Sequence, residues 1–218
     1  MVVVFDVNET LSDLAPMAAR FEDVGAPGAL ARTWFAGVLR DGFALTAVGS
    51  SERFARVAEA NLRVVLHGAS LGRSTDDAVR HVMEGFAGLS VHPDVPDGVA
   101  ALAALGLRLV TLSNGSTSVA QGLFERAGIS DRFERLLSVE DAGTWKPAPG
   151  AYAYALDECG VEAAQAMLVA VHPWDVDGAA RAGLATAWLN RSGGPYPQYF
   201  RAADVEVSSL TELAERLV

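Results

Sequence analysis

Four segments of this chain bring chemically equipped side chains directly after apolar runs. Asp6 follows Val2-Val3-Val4-Phe5, Ser113-Asn114-Gly115 follows a second run, Lys146-Pro147 lies beyond a third, and His172-Pro173-Trp174-Asp175 follows a fourth. Together they supply a carboxylate, a hydroxyl, an amide, an ammonium, an imidazole and a second carboxylate. An aspartate with an ordinary pKa of ~3.9 is ionised at neutral pH, and a nearby ammonium keeps it so. Such a carboxylate needs no activating base. It can displace a leaving group at carbon or phosphorus and form an ester that water then opens, which splits one hard displacement into two easier steps. Lys146 would supply counter-charge, with Pro147 restricting it to an extended backbone, and Asp175 would orient or deprotonate the water. Each residue also has a plainer account: Asp6 as a helix N-cap, Ser113 or Asn114 as a cap, Asp175 as a helix start, Lys146 as a solvated surface cation. Taken singly, the plainer accounts are favoured. Lysine is scarce in this chain, however, and the set as a whole favours function.

The elements that must position these residues are legible from periodicity. Residues 2 to 6 read as a strand buried on both faces. From about 14 to about 90 the pattern is helical, with Leu14, Met17, Ala18 and Phe21 on one face, then Leu30, Trp34 and Val38, then Phe54, Val57, Ala58, Asn61, Leu62 and Val65. After the turn-rich segment 92–98, strands are expected at Arg108 to Leu112, Leu136 to Val139, Met167 to Val171 and Ala185 to Leu189. Helices are expected at 97–105, 116–127, 148–158 and 175–182. This alternation predicts an α/β fold, a Rossmann-like doubly wound and mostly parallel sheet, with an all-helical insertion. The expected division is 1–13 and 92–218 for the core and 14–91 for the insertion. Ligands in such sheets sit at the carboxyl ends of the strands, where the four segments fall.

With 218 residues, 50% hydrophobic and 20% charged, the chain can bury a full core without disulfides. Its 17 Lys and Arg against 27 Asp and Glu leave a formal charge of −10 with no basic cluster, so nucleic acid is a poor partner. The longest apolar stretches, such as Gly98 to Leu107, fall short of the ~20 residues that span a bilayer, so no membrane partner is expected. The single cysteine, Cys159, can make no internal bridge, and the apolar amino-terminal run meets Asp6 too soon for a signal peptide. A cytoplasmic location is the expectation.

The four segments resemble the four signature motifs of the haloacid dehalogenase superfamily, and the resemblance covers nearly the whole chain, including a helical cap inserted just after the first motif. L-S-N-G-S (Leu112 to Ser116), L-L-S-V-E (Leu136 to Glu140), W-K-P-A-P-G-A-Y (Trp145 to Tyr152) and W-D-V-D-G-A (Trp174 to Ala179) are similar to the 2-haloacid dehalogenases in particular. The resemblance implies an aspartyl ester at Asp6 and a small-molecule substrate, a halocarboxylate or similar anion. It places Lys146, Asp175 and Thr10 beside Asp6, with Thr10 hydrogen-bonding Asp6 and Asp175 pairing with Lys146. Val7, Asn8, Ser113, Asn114, Tyr152, His172, Trp174, Phe35 and Phe54 are the substrate-side candidates. Ser113, Asn114 and the backbone donors of the next helix would hold the substrate carboxylate, and Tyr152 would brace the Lys146 loop. Trp174 and Phe54 would line a leaving-group pocket, where aromatic edges suit an anion, although such aromatics equally serve as packing. Pairing of two copies through the cap and burial of the same faces against the core both account for the apolar stripes of the cap helices.

Superfamily phosphatases resemble one another in having an Asp two residues after the nucleophile, as general acid, and an acidic pair near the fourth strand that helps bind Mg²⁺. Here Asn8 and Val171 occupy those places. Asn8 cannot protonate a leaving alkoxide, and Val171 cannot ligate a hard cation. Phosphoryl transfer loses both terms, whereas halide leaves without a proton. The sequence therefore leans to metal-independent carbon–halogen chemistry without a cofactor. Mg²⁺ enters only under the alternative of a phosphatase with an atypical metal site, and a non-catalytic binding module that retains the fold is the third reading. The dehalogenase branch usually has an Arg after the cap Trp, where Phe35 follows Trp34, and Arg40, five residues later, points to a different face. It also usually has Ser and Asn in the fourth motif, where Ala170 and His172 stand. His172 is open between an anion-binding or proton-relaying role and that of a turn histidine bonded to a backbone carbonyl.

Overall fold

The structure is a computed structural model that describes residues 1–218. β1 (Val2–Phe5) is buried along its whole length. It is followed by four helices, α1 (Met17–Glu22), α2 (Leu30–Ala47), α3 (Phe54–Val65) and α4 (Thr75–Ala87). Strands and helices then alternate: α5 (Val95–Ala104), β2 (Arg108–Ser113), α6 (Thr117–Ala127), β3 (Arg135–Ser138), α7 (Val139–Ala142), α8 (Pro149–Cys159), β4 (Ala166–Ala170), α9 (Pro173–Arg181), β5 (Ala185–Leu189), β6 (Val205–Val207) and α10 (Leu210–Arg216). The six strands form one sheet in the order β3-β2-β1-β4-β5-β6, with every adjacent pair parallel.

Side-chain alternation explains why β1 carries no polar residue. Val3 and Phe5 point to one face, into a core shared with Leu109, Val169, Leu189 and the helices α5, α6 and α10. Val2 and Val4 point to the other, with Val110, Leu112, Leu168 and the inner residues of α8 and α9. Each face is covered, so a strand at the centre must be apolar throughout. Each such side chain contributes about 1.5–3 kcal/mol when fully buried. The apolar faces of α1 to α4, including Phe21, Trp34, Phe54 and Phe86, run continuously into the second of these cores.

From β1 the chain moves outward on one side through β2 and β3, and later returns to β4 on the other. The switch of direction lies between β1 and β4, where a crevice opens beyond the carboxyl ends. Asp6 and His172 are the residues that border it. Asp6 N still donates to Val169 O at 3.0 Å, so the ladder carries the backbone rigidly up to the carboxylate.

Trp145 is one of the points that fasten the helices between β1 and α5 to the sheet's loops. Its ring stacks on Phe54 at 5.9 Å and 17°, its Nε1 donates to Glu52 O at 3.0 Å, and its backbone N donates to Thr46 Oγ1 at 3.2 Å. The same ring lies so close to Gly42 of α2 that any side chain there would collide with it. No helix is long and apolar enough to cross a membrane. β6 and α10 were not expected from the sequence. β6 is a three-residue edge strand with Glu206 facing outward, too short for alternation to show.

Candidate active site

Asp6 sits one residue beyond β1, and the loop after it turns back so that Thr10 faces it. Thr10 Oγ1 donates to Asp6 Oδ2 at 2.6 Å and accepts from Val171 N at 3.1 Å, which ties the Asp6 rotamer to the end of β4. Lys146 Nζ donates to Asp6 Oδ1 at 2.9 Å and to Asp175 Oδ2 at 2.6 Å. Asp175 lies in the first turn of α9, and Tyr152 Oη of α8 donates to its Oδ1 at 2.6 Å. Relative exposures are 3% for Asp6 and 0% for Lys146, Asp175 and Thr10, so these charges interact with little solvent screening.

The environment separates the two carboxyls. Burial alone would push Asp6 up, but the Lys146 charge, the His172 ring and the Thr10 and Lys146 hydrogen bonds outweigh it and hold Asp6 below its ordinary value. For Asp175 burial dominates and the Asp6 charge adds to it, so Asp175 is raised despite Lys146 and Tyr152. Burial works against the Lys146 ammonium, yet the charges of Asp175 and Asp6 raise it overall. One carboxylate suited to attack and one with a higher affinity for protons now share an ammonium.

Lys146 is the only lysine of the chain. Its backbone is clamped by Asn114, whose Oδ1 accepts from Lys146 N at 3.0 Å and whose Nδ2 donates to Lys146 O at 3.4 Å. The Lys146–Pro147 peptide is cis. Asn114 was expected to hold substrate; its side chain also clamps the lysine loop. Ser113 Oγ is likewise engaged, accepting from Gly115 N at 2.9 Å. The Ser113 O–H and the second N–H of Asn114 Nδ2 stay free to donate to an anion beside Asp6, as do the backbone amides of Val7, Asn8 and Asn114, which find no acceptor within the chain. Tyr152 was expected to brace the lysine loop, but its hydroxyl braces Asp175.

The other expected side chains divide. Val7 is 2% exposed and packs in the core under α5 and α6, so only its backbone faces the site. Phe54 is buried in a stack between Phe86 and Trp145 and does not reach Trp174. Trp174 stacks on His172 at 4.9 Å and 20°, with Phe43 against its edge, and Phe35 covers His172 from α2 at 6.5 Å and 26°. The histidine is thus pinned between two aromatic rings. Its Nε2 lies 3.1 Å from Asn8 O, 3.6 Å from Asp6 Oδ2 and 3.7 Å from Glu9 Oε2. Because a carbonyl oxygen can only accept, Nε2 carries a hydrogen. Arg40 is turned to solvent and pairs with Asp41.

Sequence reasoning missed three residues. Arg191, just after β5, donates from Nε and Nη2 to Thr10 O at 3.1 and 3.0 Å and is paired with Asp94 at 2.7 Å, holding the loop that carries Thr10. The strand-end rule that found the others would have found it. His92 Nε2 lies 3.0 Å from Glu9 O. Glu9 itself lines, with His172 and Phe35, a cavity of about 930 Å³ between α1, α2 and the loops after β4 and β5.

A hard divalent cation does not fit these residues. The ammonium of Lys146 stands between the two carboxylates, Val171 offers no side-chain oxygen, and no three His, Cys, Asp or Glu side chains converge as a ligand set.

Comparison with known proteins agrees with this architecture. The profile of the haloacid dehalogenase-like hydrolase family matches residues 1–183. The (S)-2-haloacid dehalogenase of Pseudomonas sp. (strain YL) is 28% identical over 216 residues, covering 98% of this chain and 92% of that protein. The crystal structure of the L-2-haloacid dehalogenase RSc1362 superposes with a TM-score of 0.92 at 31% identity, covering 99% of this chain and 97% of that one. The L-2-haloacid dehalogenase from Xanthobacter autotrophicus with chloropropionic acid covalently bound superposes with a TM-score of 0.87 at 26% identity, covering 100% and 98%. A profile match over most of the chain, relatives aligned nearly end to end, and a buried Asp–Lys–Asp cluster at the strand ends have one common reading: the chain belongs to the haloacid dehalogenase-like hydrolases.

Proposed function

We propose that this chain is a metal-independent hydrolase of the 2-haloacid dehalogenase type, acting on a small halocarboxylate through an ester at Asp6. The observation that carries the reading is the single buried ammonium of Lys146, shared by Asp6 and Asp175. An ionised Asp6 oxygen attacks the halogen-bearing carbon, the carbon–halogen bond breaks, and halide leaves with the electron pair. The free amides of Val7, Asn8 and Asn114 meet the substrate carboxylate, and Thr10 and Lys146 keep Asp6 in its attacking rotamer. Water then adds to the acyl carbon of Asp6 while Asp175, the carboxyl with the higher proton affinity, takes its proton; a 2-hydroxy acid leaves. The relative with chloropropionic acid covalently bound supports the ester step. The one cysteine, Cys159, is free and buried, which fits a reducing cytoplasm.

The test is a single turnover in ¹⁸O water with 2-halocarboxylates, followed by mass analysis of the peptide containing Asp6. Label in that peptide is expected, because water oxygen enters the Asp6 carboxyl when the ester opens. Asp6→Asn should lower halide release by at least about 10⁴-fold while the thermal unfolding profile is kept. Asn retains the Thr10 contact but is a far weaker nucleophile. A wild-type rate in that variant would remove the mechanism.

A further inference from the structure

Halide departs without a proton, so the reaction proposed above has no use for an acid at its leaving-group side. The structure nevertheless places one beside the nucleophile. Glu9 Oε2 is 3.7 Å from His172 Nε2, which is itself 3.6 Å from Asp6 Oδ2, so one imidazole spans the two carboxyls. Glu9 and His172 line the large cavity, and Asp6, 3% exposed, adjoins it through the His172 ring. A substrate that reaches Asp6 from the cavity and is displaced in line sends its leaving atom back toward Glu9.

The backbone adds an independent sign. Glu9 is the only residue other than glycine with positive φ, 63°, a conformation that glycine adopts without strain and a long side chain does not. The strained turn is held in place from outside, by the His92 ring on Glu9 O and by Ser12 Oγ, which accepts from Glu9 N at 3.3 Å. Burial pushes the Glu9 carboxyl above its ordinary value; the His172 and Arg32 charges only partly offset this, and the Asp6 charge adds to it.

We propose that Glu9 donates a proton to the leaving group, and that the site therefore also opens a strained carbon–oxygen ring beside a carboxylate, converting a 2,3-epoxy acid to the 2,3-dihydroxy acid. The proposal rests on the ester chemistry at Asp6. An Asp6 oxygen bonds to the ring carbon next to the carboxylate; the carbon–oxygen bond of the ring breaks, and its electron pair goes to the ring oxygen, which takes the Glu9 proton. Water then adds to the Asp6 acyl carbon. Its oxygen stays in the Asp6 carboxylate, one of its hydrogens ends on the second product hydroxyl, and the other restores the Glu9 acid. Nothing is oxidised or reduced. Asn8, which stands where phosphatases of the superfamily keep their acid, cannot do this; its neighbour can.

The experiment compares 2,3-epoxypropanoate with 2-bromopropanoate on the full chain, wild type and Glu9→Gln. The wild type is expected to form 2,3-dihydroxypropanoate, with ¹⁸O from water appearing in Asp6. In Glu9→Gln ring opening should fall by about 10²-fold or more, the range of a lost general acid, and bromide release by much less. Glu9→Asp, still an acid but shorter, should recover part of the loss. Bromide release without any ring opening in the wild type would overturn the proposal and leave the dehalogenase reading standing. An equal fall with both substrates would also overturn it, since Glu9 would then only pair with His172. Failure of both acids to form an Asp6 ester would bring down the ester chemistry itself.

Discussion

Lys146 Nζ lies closer to Asp175 Oδ2, at 2.6 Å, than to Asp6 Oδ1, at 2.9 Å. The ammonium therefore serves Asp175, the carboxyl with the raised proton affinity, at least as closely as it serves Asp6, and it is what allows two acidic groups to be buried side by side.

Replacing Lys146 by Met keeps the volume and removes the charge. The two carboxyls are then uncompensated, and stability should fall by about 3–5 kcal/mol, with turnover lost by orders of magnitude. Denaturant unfolding measures the first. The same variant tests the linkage. Lys146 is raised in the folded chain, so the stability it gives is complete below the value of an exposed lysine, about 10.4, and is lost as pH climbs from there through its higher folded value. Tyr152, pushed well above its ordinary value by burial and by Asp175, works in the same direction. Wild type should thus lose stability above about pH 10, and Tyr152→Phe and Lys146→Met should each lose it less steeply. Identical alkaline slopes in all three would refute the assignment.

Gly178 of α9 packs against Tyr152, whose hydroxyl orients Asp175, and against Pro147. A Cβ there would stand 2.5 Å from Tyr152 Oη and 2.7 Å from Pro147 Cβ. Gly178→Ala should force Tyr152 off Asp175, lowering stability by about 1–3 kcal/mol. Its kinetic mark should fall on the ester-opening step, so rapid-quench experiments should find the Asp6 ester accumulating. A variant in which halide release slows but no ester builds up would place the damage elsewhere.

Glu9→Gly relieves the one left-handed backbone position occupied by a side chain. It should raise stability by about 1 kcal/mol, read as an upward shift in the unfolding midpoint, even as ring opening is lost. A destabilised Gly variant would mean that the Glu9 side chain holds the turn rather than being held by it.

Much of the fold was legible because each layer of the sheet is covered. Five strands fall within one residue of their expected bounds, since apolar runs ended by polar groups mark both a buried strand and its carboxyl end. Asp6, Thr10 and Asp175 were legible for the same reason, since each lies in the loop after a strand or opens the next helix, whereas Lys146 sits in the loop between α7 and α8. Partners were harder. Nothing local tells Asn114 to clamp Lys146, because the two are 32 positions apart and meet only in the folded chain. Val7 could have been placed from the pattern, for the alternation that sends Val3 and Phe5 under the sheet sends Val7 there too. The left-handed turn at Glu9 could not, because no glycine announces it.

The burial of the chain's only lysine also sets its reactivity toward acylating reagents. Every other basic side chain is an arginine or a histidine, so no surface ε-amine competes for such a reagent, and Lys146 becomes modified only in molecules whose site has opened. The extent of ε-amine acylation is thereby a direct count of open molecules, free of background from any other lysine.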